Sequence, residues 1–333
     1  MMQEKISYNQ ERDFGSTFNI AIKFIRENFK ILIQSITFIA GPFILLSAIA
    51  TVLYQNSIAQ AAGNLFRDGR FHFFDLINYQ YGISFIISSL SNLIMTAVVF
   101  EVMKLYSIMP ASEITVSKVG IALLNDFKKL FWTMILFYLI IVGIGIVVGG
   151  ISIGFSTAHW GFAVLAIFLL VIFLLLAGPN VMYILSITYL VRIVEQNDEQ
   201  HRDEWMGKPK AWQGVVKAIN RARFGMKSNY WWTWLMMLCL FIIVMIIAVA
   251  LNLPASILGF IIGLTHMDAT EYSTLFSIMK VATNTFYLIL SAFVFIIMAF
   301  HHFSVMESKE GTGLMARINE IGQKQAHEFN QDY

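Results

Sequence analysis

The sequence predicts an all-α, polytopic transmembrane helical bundle. Six spans are laid out as three units, each an interfacial helix followed by a membrane hairpin. Three observations carry this reading. Apolar residues make up 57% of the 333-residue chain, charged residues only 13%, and the mean hydropathy is +0.67, which leaves a water-soluble fold too little polar surface. The apolar residues fall in runs long enough to supply the roughly 20 residues a helix needs to cross ~30 Å of hydrocarbon, and the charges cluster between the runs. A phrase of basic amphipathic segment, aromatic hinge and apolar run recurs, most clearly from Trp212 to Leu251.

The net charge of +2 is too small to indicate nucleic acid, and the basic residues flank apolar runs, so the expected partners are membrane lipids with anionic headgroups. The single cysteine, Cys239, makes neither an intramolecular disulfide nor a cysteine-based metal site by itself. The first 29 positions show no basic n-region followed by a short apolar core and a small-residue cleavage site. The first apolar segment is therefore expected to stay in the mature protein.

Phe14, Phe18, Ile22, Ile25 and Phe29 recur at helical spacing with Asn19, Lys23, Arg26 and Glu27 off the stripe, which predicts a first interfacial helix. The first span follows, about Ile31 to Tyr54, with a kink expected at Gly41-Pro42, where an amide is missing and the ring crowds a carbonyl. After a polar loop from Gln55 to Gln80, whose Phe71, Phe73 and Phe74 suit a headgroup layer, the second span runs from Ile83 to Ile108. Near its end Glu101 and Lys104 stand one turn apart and are expected to pair.

Val116, Val119, Leu123, Phe127 and Leu130 mark a second interfacial helix, which enters a third span, Thr133 to Ile153, through Phe131-Trp132. The apolar run from Trp160 to Val194 is too long to cross upright and contains Gly178-Pro179-Asn180, so it reads as one bent helix that projects into the cytoplasm. Glu195 to Lys210 reads as a solvated connector. The third interfacial helix presents Trp212, Val215, Val216, Ile219, Ala222 and Met226 on one face, with Arg223 in the middle of that stripe as a snorkelling side chain. A fifth span begins at the tryptophans and is expected to break at Pro254, leaving Ile257 to Leu264 as a continuation or a re-entrant piece. The sixth span, Val281 to Phe303, ends at His301 and His302. This divides the chain into a membrane domain, 1–306, with units at about 14–108, 114–194 and 212–303, and a polar tail, 307–333.

Of the 23 Lys and Arg residues, all but Arg67, Arg70 and Lys280 fall on one side of this map. The positive-inside tendency puts that side, with both termini, in the cytoplasm. Six spans satisfy the parity.

Tyr189-Leu-Val-Arg192, then Ala218-Ile-Asn-Arg221-Ala and Gly225-Met-Lys-Ser-Asn229-Tyr-Trp-Trp, together with Asp13-Phe-Gly and Asn28-Phe29, resemble a group of bacterial six-helix membrane proteins. That group is described by its similarity to the membrane domain of glycerophosphoryl diester phosphodiesterases. The resemblance covers most of the chain and departs from the usual pattern at Ala222, where a serine is expected. The catalytic barrel of those phosphodiesterases has no counterpart in these residues. The resemblance implies a fold and an association with lipid or envelope in the bacterial inner membrane, and no activity.

Headgroup contact is expected from Lys23, Arg26, Lys128, Lys129, Lys217, Arg221, Arg223 and Lys227, with Trp231 and Trp232 at the membrane entry. Pro42, Pro179 and Asn180 mark kinked helices 1 and 4, where freed backbone groups offer a midplane site; plain kinks satisfied by neighbouring helices are the alternative. His301 and His302, with Glu307 and Glu101, have side-chain types for a metal or proton site, although adjacent histidines point apart on a helix and suit an ordinary interface. His72, Asp75, His159, His266, Asp268 and Glu271 have zinc-ligand chemistry without zinc-motif spacing. Gly145 and Gly149 permit a close helix approach, within the chain or between two copies. Phosphate-loop, zinc-protease and serine-elbow motifs are missing from the sequence, and no catalytic residue, metal or cofactor is expected. The expected function is a non-enzymatic scaffold or accessory subunit, its connector and tail meeting a membrane-protein partner or a second copy. A small-solute or lipid transporter is the alternative.

Overall fold

The computed structural model describes residues 6–68, 79–156, 160–195, 211–265, 269–311, 314, 315 and 318, and among them every regular element is helical. Helix α1, Phe14–Glu27, starts where the Asp13 carboxylate accepts the Ser16 N–H at 2.7 Å and stops at Asn28, whose side-chain amide donates to the Phe24 carbonyl. Helix α2, Phe29–Ser35, passes through a wide π turn, Ile36–Ala40, into α3, Gly41–Asp68. In that turn the Gly41 amide reaches five residues back to the Ile36 carbonyl. The proline at 42 is thus accommodated by one extra residue in the turn, the commonest form of a π bulge.

Helix α4, Tyr79–Ile108, leads through a 3₁₀ turn, Ala111–Glu113, to α5, Val116–Ser156. The boundary expected between the second interfacial helix and the third span is not there. Between Asn125 and Phe137 the sequence has no proline or glycine, and the Thr133 hydroxyl bonds back to the Lys129 carbonyl at 2.8 Å, so the helix carries on through Phe131-Trp132. Helix α6, Trp160–Ile193, runs unbroken past Pro179. After α7, Ala211–Ser228, helix α8 extends over Tyr230–Thr265. The break expected at Pro254 is absent, and Ile257 to Leu264 continues the same helix. Around Pro254 the Asn252 side-chain amide and the Ser256 hydroxyl donate back to the carbonyls of Ala248 and Asn252. Helix α9, Ala269–Glu310, ends at Gly311, whose φ of +60° lets its amide turn back to the Glu307 carbonyl.

Five segments among the described residues are long and apolar enough to cross a membrane: Phe29–Gln55, Tyr79–Ile108, Leu176–Ile193, Tyr230–Leu258 and Thr274–Glu310. The residues group into two compact units, one of Met1–Phe29, Ile135–Leu238 and Phe295–Tyr333, the other of Lys30–Met134 and Cys239–Val294. In the second unit α3 packs along α4, and the Ser47 and Ser88 hydroxyls bond at 2.9 Å between them. The C-terminal half of α4 is almost wholly buried there, from Leu93 to Met103. In the first unit α6 packs on α7, and the buried residues include Tyr183, Ile187, Leu190, Val215, Ala218, Ala222, Phe24 and Phe300.

Candidate functional site: a buried polar line in the first unit

Tyr183 lies on the face of α6 shared with Ile187, Leu190 and Val191, all of them fully buried. Its hydroxyl meets His302 Nδ1 of α9 at 3.0 Å, and His302 Nε2 meets Glu195 Oε1, just past the end of α6, at 2.8 Å. The other Glu195 oxygen accepts from Arg221 Nε of α7 at 2.9 Å. Arg221 then turns both terminal nitrogens on the Glu310 carboxylate, with Nη2 to Oε2 at 2.8 Å. The result is one line of hydrogen bonds, Tyr183, His302, Glu195, Arg221 and Glu310, joining α6, α7 and α9. With a carboxylate on Nε2, that nitrogen carries a proton and donates to Glu195.

Burial by itself would raise the Glu195 carboxyl, but the bonds and charges of His302 and Arg221 outweigh it and hold the group down at about 2. Burial works against the Arg221 cation in the same way, and the two carboxylates outweigh it and push its pKa up. His301, on the next azimuth, takes a different partner, the Thr233 hydroxyl of α8 at 3.1 Å. The line is tight because α7 comes close. A Cβ added at Gly225 would sit 3.2 Å from Met306 Sδ and 3.6 Å from His302 Nδ1, and one at Gly214 would sit 3.3 Å from the Arg192 guanidinium.

The segment ahead of α1 is bound to α9 in the same unit. The Arg12 N–H donates to the Ser304 hydroxyl at 2.8 Å and that hydroxyl donates back to the Arg12 carbonyl at 3.0 Å. Tyr8 stacks on Phe303 with centroids 5.1 Å apart. The second unit has its own buried charges. Lys104 reaches Asp126 Oδ2 at 2.7 Å and Glu101 Oε2 at 3.2 Å, and Lys129 takes the other Asp126 oxygen at 2.8 Å. The Glu101 contact is an ion pair whose angle misses hydrogen-bond geometry. Burial raises Asp126, and the two lysines outweigh it and lower its pKa. In the second unit α4 bonds α5, the next long helix in sequence, and in the first the residue just past α6 bonds α7 while α9 bonds the segment leading into α1.

Family models, curated proteins and solved structures provide no match to the chain. Its chemistry is therefore read from its own residues.

The residues expected at headgroups separate into two groups. Lys23, Arg26, Lys128, Lys217, Arg223, Lys227, Trp231 and Trp232 are exposed, with Trp232 against Phe14 at 5.9 Å. Arg221 and Lys129 spend their donors on carboxylates of their own unit. Pro42 is exposed in the second unit, whereas Pro179 is half-buried and Asn180 buried in the first. Two expectations are corrected. His301 and His302 are buried residues of a packed joint, because both find polar partners inside it. Glu195, expected in the solvated connector, is buried on Arg221 and His302. His72, Asp75, His159, His266 and Asp268 lie outside the described residues, as does the side chain of Glu271. Among the described residues no three His, Cys, Asp or Glu side chains are grouped to hold a metal.

The surface helices have two apolar stripes each. On α1 the inner stripe is Thr17, Ala21, Phe24 and Asn28, while the stripe expected from spacing, Phe18, Ile22, Ile25 and Phe29, is exposed or half-exposed beside it. On α5 the inner stripe is Val119, Leu123, Asp126 and Leu130, and Ile121, Leu124, Lys128 and Phe131 face outward. On α7 the inner stripe is Val215, Ala218, Ala222 and Gly225, and Trp212, Val216 and Arg223 face outward.

Proposed function

We propose that the chain is a non-enzymatic scaffold or accessory subunit of a bacterial envelope system. In this reading it is held in the inner membrane by six spans with both termini in the cytoplasm; α1 and α7 lie on anionic lipid, and the first part of α5, continuous with its span, emerges at the headgroup level. The observation that carries the reading is the double stripe of α1, α5 and α7. One stripe packs inward, the other is apolar, outward and flanked by exposed lysines and arginines, the build of a helix lying in a headgroup layer. Phe14 beside Trp232 supports it further, since it brings the start of α1 to the level where α8 enters the membrane.

The sixth span is the apolar stretch Thr133 to Ile153 of α5. The three units, 14–108, 114–194 and 212–303, each supply a surface helix and a hairpin. The residues on which the resemblance to the membrane domain of glycerophosphoryl diester phosphodiesterases rests include Arg192, Ala218, Arg221 and Gly225, which all belong to the α6–α7 joint. They therefore bear on fold rather than on hydrolysis. Tyr183 and His302 are sealed from solvent, so the polar line acts as a clasp that sets the helix ends from which the 196–210 connector departs. Partners bind the connector and the tail. To test this, the protein is extracted from its native membrane into lipid nanodiscs, with residues 197–210 intact or replaced by a flexible linker. A stoichiometric partner that disappears with the replacement is expected; a chain that stays alone in both preparations refutes the scaffold.

A transporter or lipid-handling protein with its site at kinked helices is the second reading, favoured by one observation: Asn180, beside Pro179, is buried without a hydrogen-bond partner among the described residues. Solute or lipid movement by the reconstituted protein, impaired in Pro179→Ala, would establish it.

A further inference from the structure

Asn180 is only 4% exposed, yet among the described residues neither its amide nitrogen nor its oxygen has a hydrogen-bond partner. A buried carboxamide needs one. A second group on the same turn lacks its usual α-helical donor. Pro179 has no N–H, so the carbonyl of Leu175, four residues back, loses its helical donor. Gly178, two residues before Asn180 and so on the other side of the helix, adds no side chain to the turn. Polar groups do reach this stretch of α6: the Tyr230 hydroxyl donates to the Leu176 carbonyl at 3.3 Å.

The turn offers uncharged N–H donors from one carboxamide and two carbonyl-type oxygens. A bare metal cation needs about six oxygens and an anion needs charge or several donors, so neither fits. Water fits, having two donors and two acceptors and needing two to four polar partners. We infer that Gly178, Pro179 and Asn180 form a water-binding turn in α6, with water bridging the Asn180 carboxamide and the Leu175 carbonyl. Asn180 precedes Tyr183 by three residues and shares its helix face. The bound water therefore extends the line of Tyr183, His302, Glu195, Arg221 and Glu310 by a turn toward the apolar part of α6. The inference stands on this geometry alone and holds whether the protein is a scaffold or a transporter.

The test uses full-length, ¹⁵N-asparagine-labelled protein in lipid nanodiscs, with the Asn180 side-chain amide assigned through Asn180→Leu. Cross-relaxation from water to that amide is expected, with the sign of a long-lived bound water. Pro179→Ala returns a donor to the Leu175 carbonyl and should weaken the signal about two-fold or more, as a water losing one of its few partners would. Asn180→Leu should lower Tm, because it discards a satisfied amide. A missing cross-peak, a cross-peak unchanged in Pro179→Ala, or a rise in Tm on Asn180→Leu would each overturn the site.

Discussion

A buried ion pair does most of its work when one half is taken away. Glu195 lies between His302 and Arg221 with 7% of its surface exposed, so Arg221→Met leaves a carboxylate in the interior with only a histidine to face it. Removing one partner of such a pair typically costs about 3–5 kcal/mol. Thermal unfolding in a fixed detergent should show a clearly lower Tm for Arg221→Met and a smaller loss for the double variant with Glu195→Gln; equal losses would mean that the pair is not coupled. The pH dependence has a definite sign. The folded-state pKa of Glu195 is depressed to about 2 from 4.5, so its contribution is full above the unfolded value and is lost as pH falls through the folded one. Tm should be insensitive to this group above pH ~5 and should decline between about 4.5 and 2, by an amount on the order of 3 kcal/mol at 1.4 kcal/mol per pH unit, with that part of the slope gone in Glu195→Gln. Sequence reading identified Glu101 with Lys104 as a pair because their spacing along one helix is local information. It could not pair Glu195 with Arg221, 26 residues away, or Tyr183 with His302, 119 away, because only packing brings those together.

At the scale of an element, close approach separates a surface helix that is merely attached from one that is locked. Helix α7 is locked at Gly225, where an added Cβ comes 3.2 Å from Met306 Sδ. The sulfur ends a flexible side chain, so Gly225→Ala should cost little, while Gly225→Leu must displace Met306 and the His302 ring. Overpacking of this kind costs typically about 1–3 kcal/mol, and it should appear as a lower Tm for the leucine variant only. Helix α1 allows a direct test of its outward stripe. A peptide of residues 12–30 should be largely unordered in buffer, become helical on vesicles rich in anionic lipid, and lose that binding in high salt or with Lys23→Glu and Arg26→Glu together; circular dichroism reads each step. Spacing alone found the outward stripe of α1, because period is a property of the chain; on α7 the expected face mixed outward Trp212 and Val216 with the buried Val215 and Ala222. The inner stripe of α1 mixes Thr17 and Asn28 with Ala21 and Phe24 and looks unremarkable in sequence, and the continuity of the helices through Trp132 and Pro254 is not legible there because neither an aromatic pair nor a proline by itself fixes where a helix stops.

For the whole molecule, the decisive quantity is the number of crossings, since it sets which residues share a compartment. Five helices qualify as spans among the described residues, and an odd number would put the two termini on opposite sides. In the proposed six-span reading α5 supplies the sixth, which would bring the termini together, on the side that the Lys and Arg asymmetry assigns to the cytoplasm. The chain makes this measurable, because its single cysteine, Cys239, can be replaced by serine to give a clean background. Cysteines introduced singly at Gln200, Tyr333 and Arg70 should then divide two to one. A membrane-impermeant maleimide added to intact spheroplasts should label only the Arg70→Cys variant, and permeabilisation should expose the other two. Labelling of Tyr333→Cys from outside would leave five crossings or turn the map over. An inverted map would also move Lys23, Arg26 and Lys227 to the outer leaflet, away from the anionic inner surface that their exposed side chains suit.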